Sequence, residues 1–156
     1  MLVTTSWDSR GGSSTWCQSK TDRFDVNEKQ RIAVAIVVHQ QKVLVGKRAS
    51  NAKTAQGFHE FPGGKIEKGE IASTAAIREC LEETGLHISI ERQVNKSFTD
   101  EGCLEIIFFL GSLHSSVNPE PYIPFKCLSR AELDLCTFPA ANRDAVDWLR
   151  DFLLIN

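Results

Sequence analysis

The sequence predicts an α/β domain, because strand-like and helix-like segments alternate along most of its length. Residues 32–38 form a continuous apolar, β-branched run that is typical of a strand buried on both faces. Residues 72–84 have the spacing of a helix, and residues 141–153 form a terminal amphipathic segment. Together these observations indicate helices packed on a sheet.

The composition supports one globular domain and excludes other classes of protein. The 156 residues leave room for a single sizeable core. A net charge of −2, from 18 Lys and Arg against 20 Asp and Glu, argues against a broad basic surface, so we expect no stable nucleic-acid binding. No apolar run reaches the roughly 18 residues of a membrane-spanning helix, so we expect no membrane partner.

Cysteine usage and the N-terminus predict a cytoplasmic protein. The five cysteines include no CxxC pair, so we expect no structural zinc site and instead free thiols, which are typical of a reducing compartment. The first residues lack the basic and apolar regions of a secretory signal. Residues 1–30 are rich in Ser, Thr, Gly and Asp and predict a flexible N-terminal extension, which leaves residues 31–156 as the domain.

The first part of the domain predicts a strand pair followed by irregular chain. Residues 39–41 indicate a turn between the strand at 32–38 and a paired strand at 42–48. Residues 49–59 are polar and irregular, which is typical of a loop. Residues 60–69 contain Pro-Gly-Gly and a further glycine, so we expect no regular element there.

The second part predicts helix 72–84 and then further strands. Gly85 is a favourable residue for the position after a helix. Strands are expected at residues 88–94 and 104–113, with a turn at 100–102 between them.

The C-terminal part is predicted to hold a short strand and two helices. The strand at 122–128 is weakened by Pro124. A brief helix is expected at 131–135, followed by the amphipathic helix at 141–153.

The helix at 72–84 carries a group of acidic residues that we call the carboxylate cluster: Glu79, Glu82 and Glu83. At about 100° per residue they fall within an arc of about 100°, and Ile77, Leu81 and Thr84 point roughly opposite, toward the expected core. The only other residues on the acidic face are three small alanines, Ala72, Ala75 and Ala76. Like charges on one helix face repel, so the cluster predicts a counter-charge.

A hard divalent cation would supply that charge, because such ions prefer several oxygen ligands. Arg78 precedes Glu79 and is placed to orient it, and the Gly64 carbonyl is a further candidate ligand. Glu70 adds charge on the incoming loop. The alternative interpretation is a solvated Glu-rich helix face without a ligand.

The spacing Gly-x5-Glu-x7-Arg-Glu-apolar-x-Glu-Glu-x-Gly-apolar resembles the Nudix box. Its fixed polar and glycine positions are occupied here by Gly64, Glu70, Arg78, Glu79, Glu82, Glu83 and Gly85. Cys80 stands where the family usually has a larger aliphatic residue.

The resemblance implies an α/β/α sandwich with a mixed sheet. It also implies hydrolysis of a nucleoside diphosphate linked to another group, with Mg²⁺ or Mn²⁺ as cofactor. Glu82 and Glu83 are then the principal metal ligands, helped by the Gly64 carbonyl. Glu79 is implied to act as a ligand or general base held by Arg78, with Glu70 in the same catalytic set.

Three further segments resemble the MutT branch of the family, the 8-oxo-dGTP diphosphatases. They are residues 43–48, 60–65 and 138–142. The resemblance implies that Arg48 contacts substrate phosphate and that Phe61 and Asn142 contact the oxidised purine. An Asn amide both donates and accepts, which suits a purine edge. The alternatives are a strand-end surface charge for Arg48, a core residue for Phe61 and a helix N-cap for Asn142.

One position departs from the branch. Many MutT-like enzymes carry a further metal-binding Glu before the last helix, where this chain has Lys126. We therefore expect either that this carboxylate is absent or that Glu101 or Glu120 replaces it.

The leading hypothesis is a pyrophosphohydrolase that converts 8-oxo-dGTP to 8-oxo-dGMP and pyrophosphate, which would serve nucleotide-pool sanitation and DNA repair. One alternative keeps the chemistry but takes CTP or another nucleoside diphosphate derivative as substrate. Another is a non-catalytic nucleotide-binding module. The sequence leaves the oligomeric state open.

Overall fold

The protein is described by a computed structural model, which covers residues 29–48, 57–99, 102–114 and 119–155. The strands are β1 (Gln30–His39), β2 (Lys42–Lys47), β3 (His59–Glu60), β4 (Gly63–Lys65), β5 (Ile88–Phe98), β6 (Leu104–Leu113) and β7 (Lys126–Ser129). The helices are α1 (Ala72–Thr84), α2 (Arg130–Leu133) and α3 (Arg143–Ile155), with a short 3-10 turn at Ala140–Asn142. The extension predicted over residues 1–30 lies almost wholly outside the described residues.

The described strands form one mixed sheet. Its order is β3-β2-β1-β6-β5, with β4 also paired to β1 and β7 to β2. The β1–β6 pair is parallel, and the other pairs are antiparallel. Strand β1 therefore lies at the centre, which agrees with its continuous apolar sequence.

Alternate residues of β1 face opposite layers of the molecule. Ala33 and Ala35 pack with α1 in one buried cluster, whereas Val34 and Ile36 pack with α2 and α3 in another. Because side chains alternate along a strand, one apolar run supplies both cores. The architecture is thus the expected α/β/α sandwich.

Helix α1 ends where the sequence predicts. Gly85 has φ 72°, and its N–H donates to the Leu81 carbonyl at 2.9 Å. A Cβ at this position would lie 2.5 Å from the Tyr122 ring, so both the backbone and the packing require glycine.

Several predicted elements differ from the structure. The strand expected at 88–94 extends to Phe98, and the helix expected at 131–135 spans Arg130–Leu133. Residues 60–69 are not wholly irregular, because β3 and β4 pair with β2 and β1 despite the glycines. The strand expected at 122–128 begins only at Lys126, since Pro124 has no N–H to give to a ladder. The last helix begins at Arg143, after the 3-10 turn. None of the described helices is long and apolar enough to cross a membrane.

Candidate active site

Arg78 on α1 connects the helix to the segment that precedes it. Its Nε and Nη2 donate to the two carboxylate oxygens of Glu70, each at 2.9 Å. Nη1 donates to Glu79 at 2.7 Å, and Nη2 also donates to the Lys65 carbonyl at 3.1 Å. The bonds to Glu70 and Glu79 raise the pKa of Arg78 above its usual range. The bonds from Arg78 lower the pKa of Glu70 below its usual range. Arg78 therefore fixes Glu79 and the incoming loop together.

The expectation for the two faces of α1 needs correction. Leu81 is exposed rather than directed to the core, whereas Ala75 and Ala76 are fully buried with Cys80 and Thr84. The small residues face the sheet because β1 also carries alanines, at positions 33 and 35, on that side. The helix consequently lies close to the sheet, with Glu79 and Glu83 turned toward β4.

The two glycines of β4 contact the carboxylates in different ways: Gly64 leaves room for Glu79, and Gly63 binds Glu83 through its backbone N–H. A Cβ at Gly64 would lie 2.3 Å from Cδ of Glu79, so only glycine lets the Glu79 carboxylate lie against this strand. The Gly63 N–H donates to Glu83 Oε2 at 3.0 Å. The Pro-Gly-Gly segment thus forms one wall of the site.

Glu83 is electrostatically unusual. Glu83 is exposed as a residue, but desolvation of its carboxyl group raises its pKa to about 7, and the nearby Glu60 and Glu79 carboxylates act in the same direction. The Gly63 N–H and Arg48 act in the opposite direction. Because the charged form of Glu83 is unfavourable here, a cation placed beside its carboxylate would stabilise that charged form strongly.

Glu60 is a site residue that the sequence interpretation missed. It lies opposite Gly46 in the β2–β3 pair, and its carboxylate forms an ion pair with Arg48 Nε. The Arg48 N–H continues the pairing by donating to the Phe58 carbonyl at 2.9 Å. The sequence signal for a role of Glu60 was its position two residues before the Pro-Gly-Gly segment. No helical spacing connects Glu60 to Glu83, so the two were not linked.

The side chains of this site suit a hard divalent cation, because the Glu79 carboxylate oxygens lie against Gly64 in a space that a Cβ would occupy. Within the described ranges, however, no three acidic, His or Cys side chains converge as a ready metal site. Arg78 and the Gly63 N–H take oxygens of Glu79 and Glu83. Glu82 is more exposed than Glu79, and its carboxylate lies 3.5 Å from Arg78 Nη1.

The two residues expected at the base lie on the α3 side of the sheet. Phe61 is buried and stacks on Phe138, with ring centroids 4.9 Å apart. Asn142 is half-buried at the end of the 3-10 turn, and its N–H donates to the Pro139 carbonyl at 2.9 Å. This turn packs against β5.

The position expected to carry a further acid faces away from α1. Lys126 is paired with Val45, which belongs to the α3-side core, and opposed residues of an antiparallel pair share a face. Glu120 is exposed, close to Tyr122, whose N–H donates to the Thr84 carbonyl at 3.0 Å. Glu101 lies outside the described residues.

Comparison with known proteins gives consistent matches. A family model described as NUDIX domain matches residues 29–149. The chain is 29% identical over 127 residues to the 8-oxo-dGTP diphosphatase of Escherichia coli (strain K12), covering 79% of this chain and 98% of that protein. It is 26% identical over 112 residues to Nudix hydrolase 2 of Arabidopsis thaliana, covering 67% of this chain but only 40% of that relative.

A solved structure described as MutT from Aliivibrio salmonicida and Vibrio cholerae is similar in fold. Its TM-score is 0.64 at 25% identity, and the match covers 79% of this chain and 97% of that one.

Proposed function

Because the chain belongs to the NUDIX family, whose hydrolases act on nucleoside triphosphates and related phosphoric anhydrides, we propose that it hydrolyses 8-oxo-dGTP to 8-oxo-dGMP and pyrophosphate. The observation that carries the reaction class is the Arg78 network, which presents Glu79 against Gly64 beside Glu83. The choice of an oxidised purine is supported by the similarity to a diphosphatase over 98% of that enzyme's length.

NUDIX hydrolases generally use a divalent metal ion. When bound, such an ion would neutralise phosphate charge and lower the pKa of a water molecule. Glu82, Glu83 and the Gly64 carbonyl are the groups that we expect to hold it. We expect Mg²⁺, with Mn²⁺ as a substitute.

The chain's own residues would then have separate roles in hydrolysis and in substrate binding. Water attacks an internal phosphorus of the triphosphate, its proton passes to Glu79 or a neighbouring carboxylate, and pyrophosphate leaves. Arg78 holds Glu79 in one orientation through this step. Arg48 binds the phosphates, and Phe61 with Asn142 contacts the base.

A panel of substrates tests this proposal. The kcat/KM values for 8-oxo-dGTP, dGTP, dCTP, CTP and several nucleotide sugars should be measured with Mg²⁺, with a folded Glu79→Gln preparation as the control for contaminating hydrolases. We expect 8-oxo-dGTP to be the best substrate. A preference for CTP would replace the proposed substrate, and no turnover of any nucleotide would favour a binding module.

A further inference from the structure

Two buried polar groups on β5 have no hydrogen-bond partner within the described part of the chain. They are the amide nitrogen Nδ2 of Asn95 and the hydroxyl Oγ of Ser97, which lie two positions apart on one strand. Most buried polar groups in folded proteins are paired, because an unpaired one costs free energy, so these two need an explanation. The amide is held in one orientation, since its Oδ1 accepts from the Lys96 N–H at 2.7 Å and leaves Nδ2 as the free end.

A β-bulge turns both side chains to the α3 side of the sheet. The pairing of β5 with β6 shifts register between Gln93 and Asn95, so that Asn95 lies opposite Phe108 and Ser97 lies opposite Ile106. Phe108 and Ile106 belong to the α3-side core, and opposed residues of an antiparallel pair share a face. Bulges are common beside binding sites, because the extra residue changes the direction of the side chains that follow it.

The two polar side chains share this face with the residues expected at the base. Asn95, Phe108 and Val34 form one row across β5, β6 and β1. Phe61 packs in the same buried cluster as Val34 and Phe108. The 3-10 turn that ends at Asn142 packs against β5 itself. The unpartnered groups therefore lie on the same side of the sheet as Phe61 and Asn142, on a strand that this turn contacts.

The apolar surface next to Ser97 is only partly covered. Ile32 on β1 lies in the same row as Ser97, with Ile106 between them. Ile32 and Leu104 are half-buried, whereas Val34 in the next row is buried. A pocket for a small ligand typically combines such an apolar floor with a few polar groups that fix the ligand's orientation.

We propose that Asn95 and Ser97 are specificity-determining residues that contact the base of the nucleotide, an assignment that rests on the proposed function. Asn95 Nδ2 donates to a carbonyl oxygen of the base, and the Ser97 hydroxyl, which can donate or accept, bonds a second polar atom. The free end of the Asn95 amide offers only a donor, so it favours an oxidised guanine over adenine, which has no carbonyl oxygen. The groups that cover these atoms in the free protein move aside on binding, as side chains at binding surfaces commonly do.

Binding of 8-oxo-dGMP tests the assignment without turnover, because this nucleotide is the expected product. The full-length wild type, Asn95→Leu and Ser97→Ala should be titrated with it by calorimetry in the presence of Mg²⁺. We expect the affinity to fall about 3- to 10-fold in Asn95→Leu and about threefold in Ser97→Ala, the range for one lost hydrogen bond. The affinity of Asn95→Leu for dAMP should change less. Unchanged affinity for 8-oxo-dGMP in both variants would overturn the assignment.

The sugar phosphate 2-deoxyribose 5-phosphate, which has no base, is the control ligand. Its affinity should be the same in the wild type and in both variants. A parallel loss of affinity for both ligands would also overturn the assignment, because the substitutions would then disturb the sheet rather than the base contact. Ser89→Ala is the control variant, since it removes an exposed hydroxyl from the other end of β5 and should leave both affinities unchanged.

Thermal melts distinguish base recognition from a role in holding an internal water molecule. Asn95→Leu replaces an amide that has an unpaired donor by an apolar side chain of similar shape, so its Tm should equal or exceed that of the wild type. If the amide instead binds a buried water molecule, the Tm should fall while the affinity for 8-oxo-dGMP stays the same, and the assignment would be wrong.

These outcomes separate this inference from the proposed function. If the wild type hydrolyses 8-oxo-dGTP but both variants bind 8-oxo-dGMP as tightly as the wild type does, the inference is wrong and the proposed hydrolysis stands. If the wild type prefers CTP, the proposed substrate is wrong. CMP then replaces 8-oxo-dGMP in the same titrations, because cytosine also carries a carbonyl oxygen.

Discussion

At the scale of single residues, the site depends on side chains that satisfy several partners simultaneously. Arg78 is the main example, because one planar guanidinium contacts the loop carboxylate Glu70, the strand carbonyl of Lys65 and the helix carboxylate Glu79. A lysine ammonium is a point charge on a flexible stem and has no fork that can reproduce this set.

Arg78→Lys should therefore lower kcat by about 10²-fold through misplacement of Glu79, while KM changes little. The control is Arg143→Lys, which changes an exposed arginine at the start of α3. Steady-state kinetics with the best substrate of the panel measures the effect. A near-wild-type kcat in folded Arg78→Lys would show that the fork is dispensable.

Asn142→Ala tests recognition of the base. A bidentate amide contact to a base is worth about 1–3 kcal/mol, so the preference for 8-oxo-dGTP over dGTP should fall roughly 5- to 150-fold. If Asn142 acts only as an N-cap, the substitution should instead cost about 1 kcal/mol of folding stability and leave the preference unchanged. Both kcat/KM values and the Tm should be measured on one preparation.

At the scale of elements, three neighbouring strands are joined by one carboxylate. Glu105 on β6 accepts from Arg31 on β1 at 2.6 Å and pairs with Lys96 on β5 at 2.8 Å. Lys96 and then Arg31 lower the pKa of Glu105 below its ordinary value of 4.5. Its charged form thus stabilises the folded sheet, and this stabilisation is lost as pH falls through the lowered pKa.

Glu105→Gln should lower the Tm at pH 7 by about 1–4 °C, the range for a loss of ~1 kcal/mol or less. The difference from wild type should shrink as the pH falls below 4.5, because the wild-type carboxyl then becomes neutral as well. Thermal melts over a pH series measure it, with Glu91→Gln on the exposed side of β5 as control. A difference that persists unchanged at low pH would point to packing rather than charge.

Sequence patterns predicted the elements best where periodicity is long. The central strand, α1 and the stop at Gly85 follow directly from apolar spacing and from glycine chemistry. By contrast, β3 and β4 have two and three residues, too few for any periodicity, and only pairing with β2 and β1 defines them. Glu60 was missed for the same reason, since its neighbours across the site come from another element.

A helical projection also could not predict which face of α1 packs on the sheet. The projection separated polar from apolar residues, but the packed face contains Ala75 and Ala76 because the opposing strand carries small side chains. Side-chain size on the partner element decided the contact, and that information lies outside the helix's own sequence.

At the scale of the whole molecule, the negative charge of the site should make folding stability depend on metal. Mg²⁺ binds the folded site and not the unfolded chain, so at a hundredfold excess over Kd it should add about 2.7 kcal/mol to the free energy of unfolding. We expect EDTA to lower the Tm and abolish hydrolysis, and Mg²⁺ or Mn²⁺ to restore both. Potassium chloride at matched ionic strength is the control. Full turnover in chelator would contradict the proposed metal dependence.

The parallel pairing of β1 with β6 also has a consequence for biosynthesis. Arg31 on β1 and Glu105 on β6 are 74 positions apart, so β6 is synthesised well after the central strand with which it pairs. At ordinary translation rates this delay is roughly 4–15 s. The β1–β2 hairpin can close early because its contacts are local, but the backbone N–H and C=O groups on the β6 edge of β1 then stay unpaired. The nascent chain should accordingly need a chaperone more than the folded protein does, and the yield of folded protein should fall when synthesis of β6 is delayed.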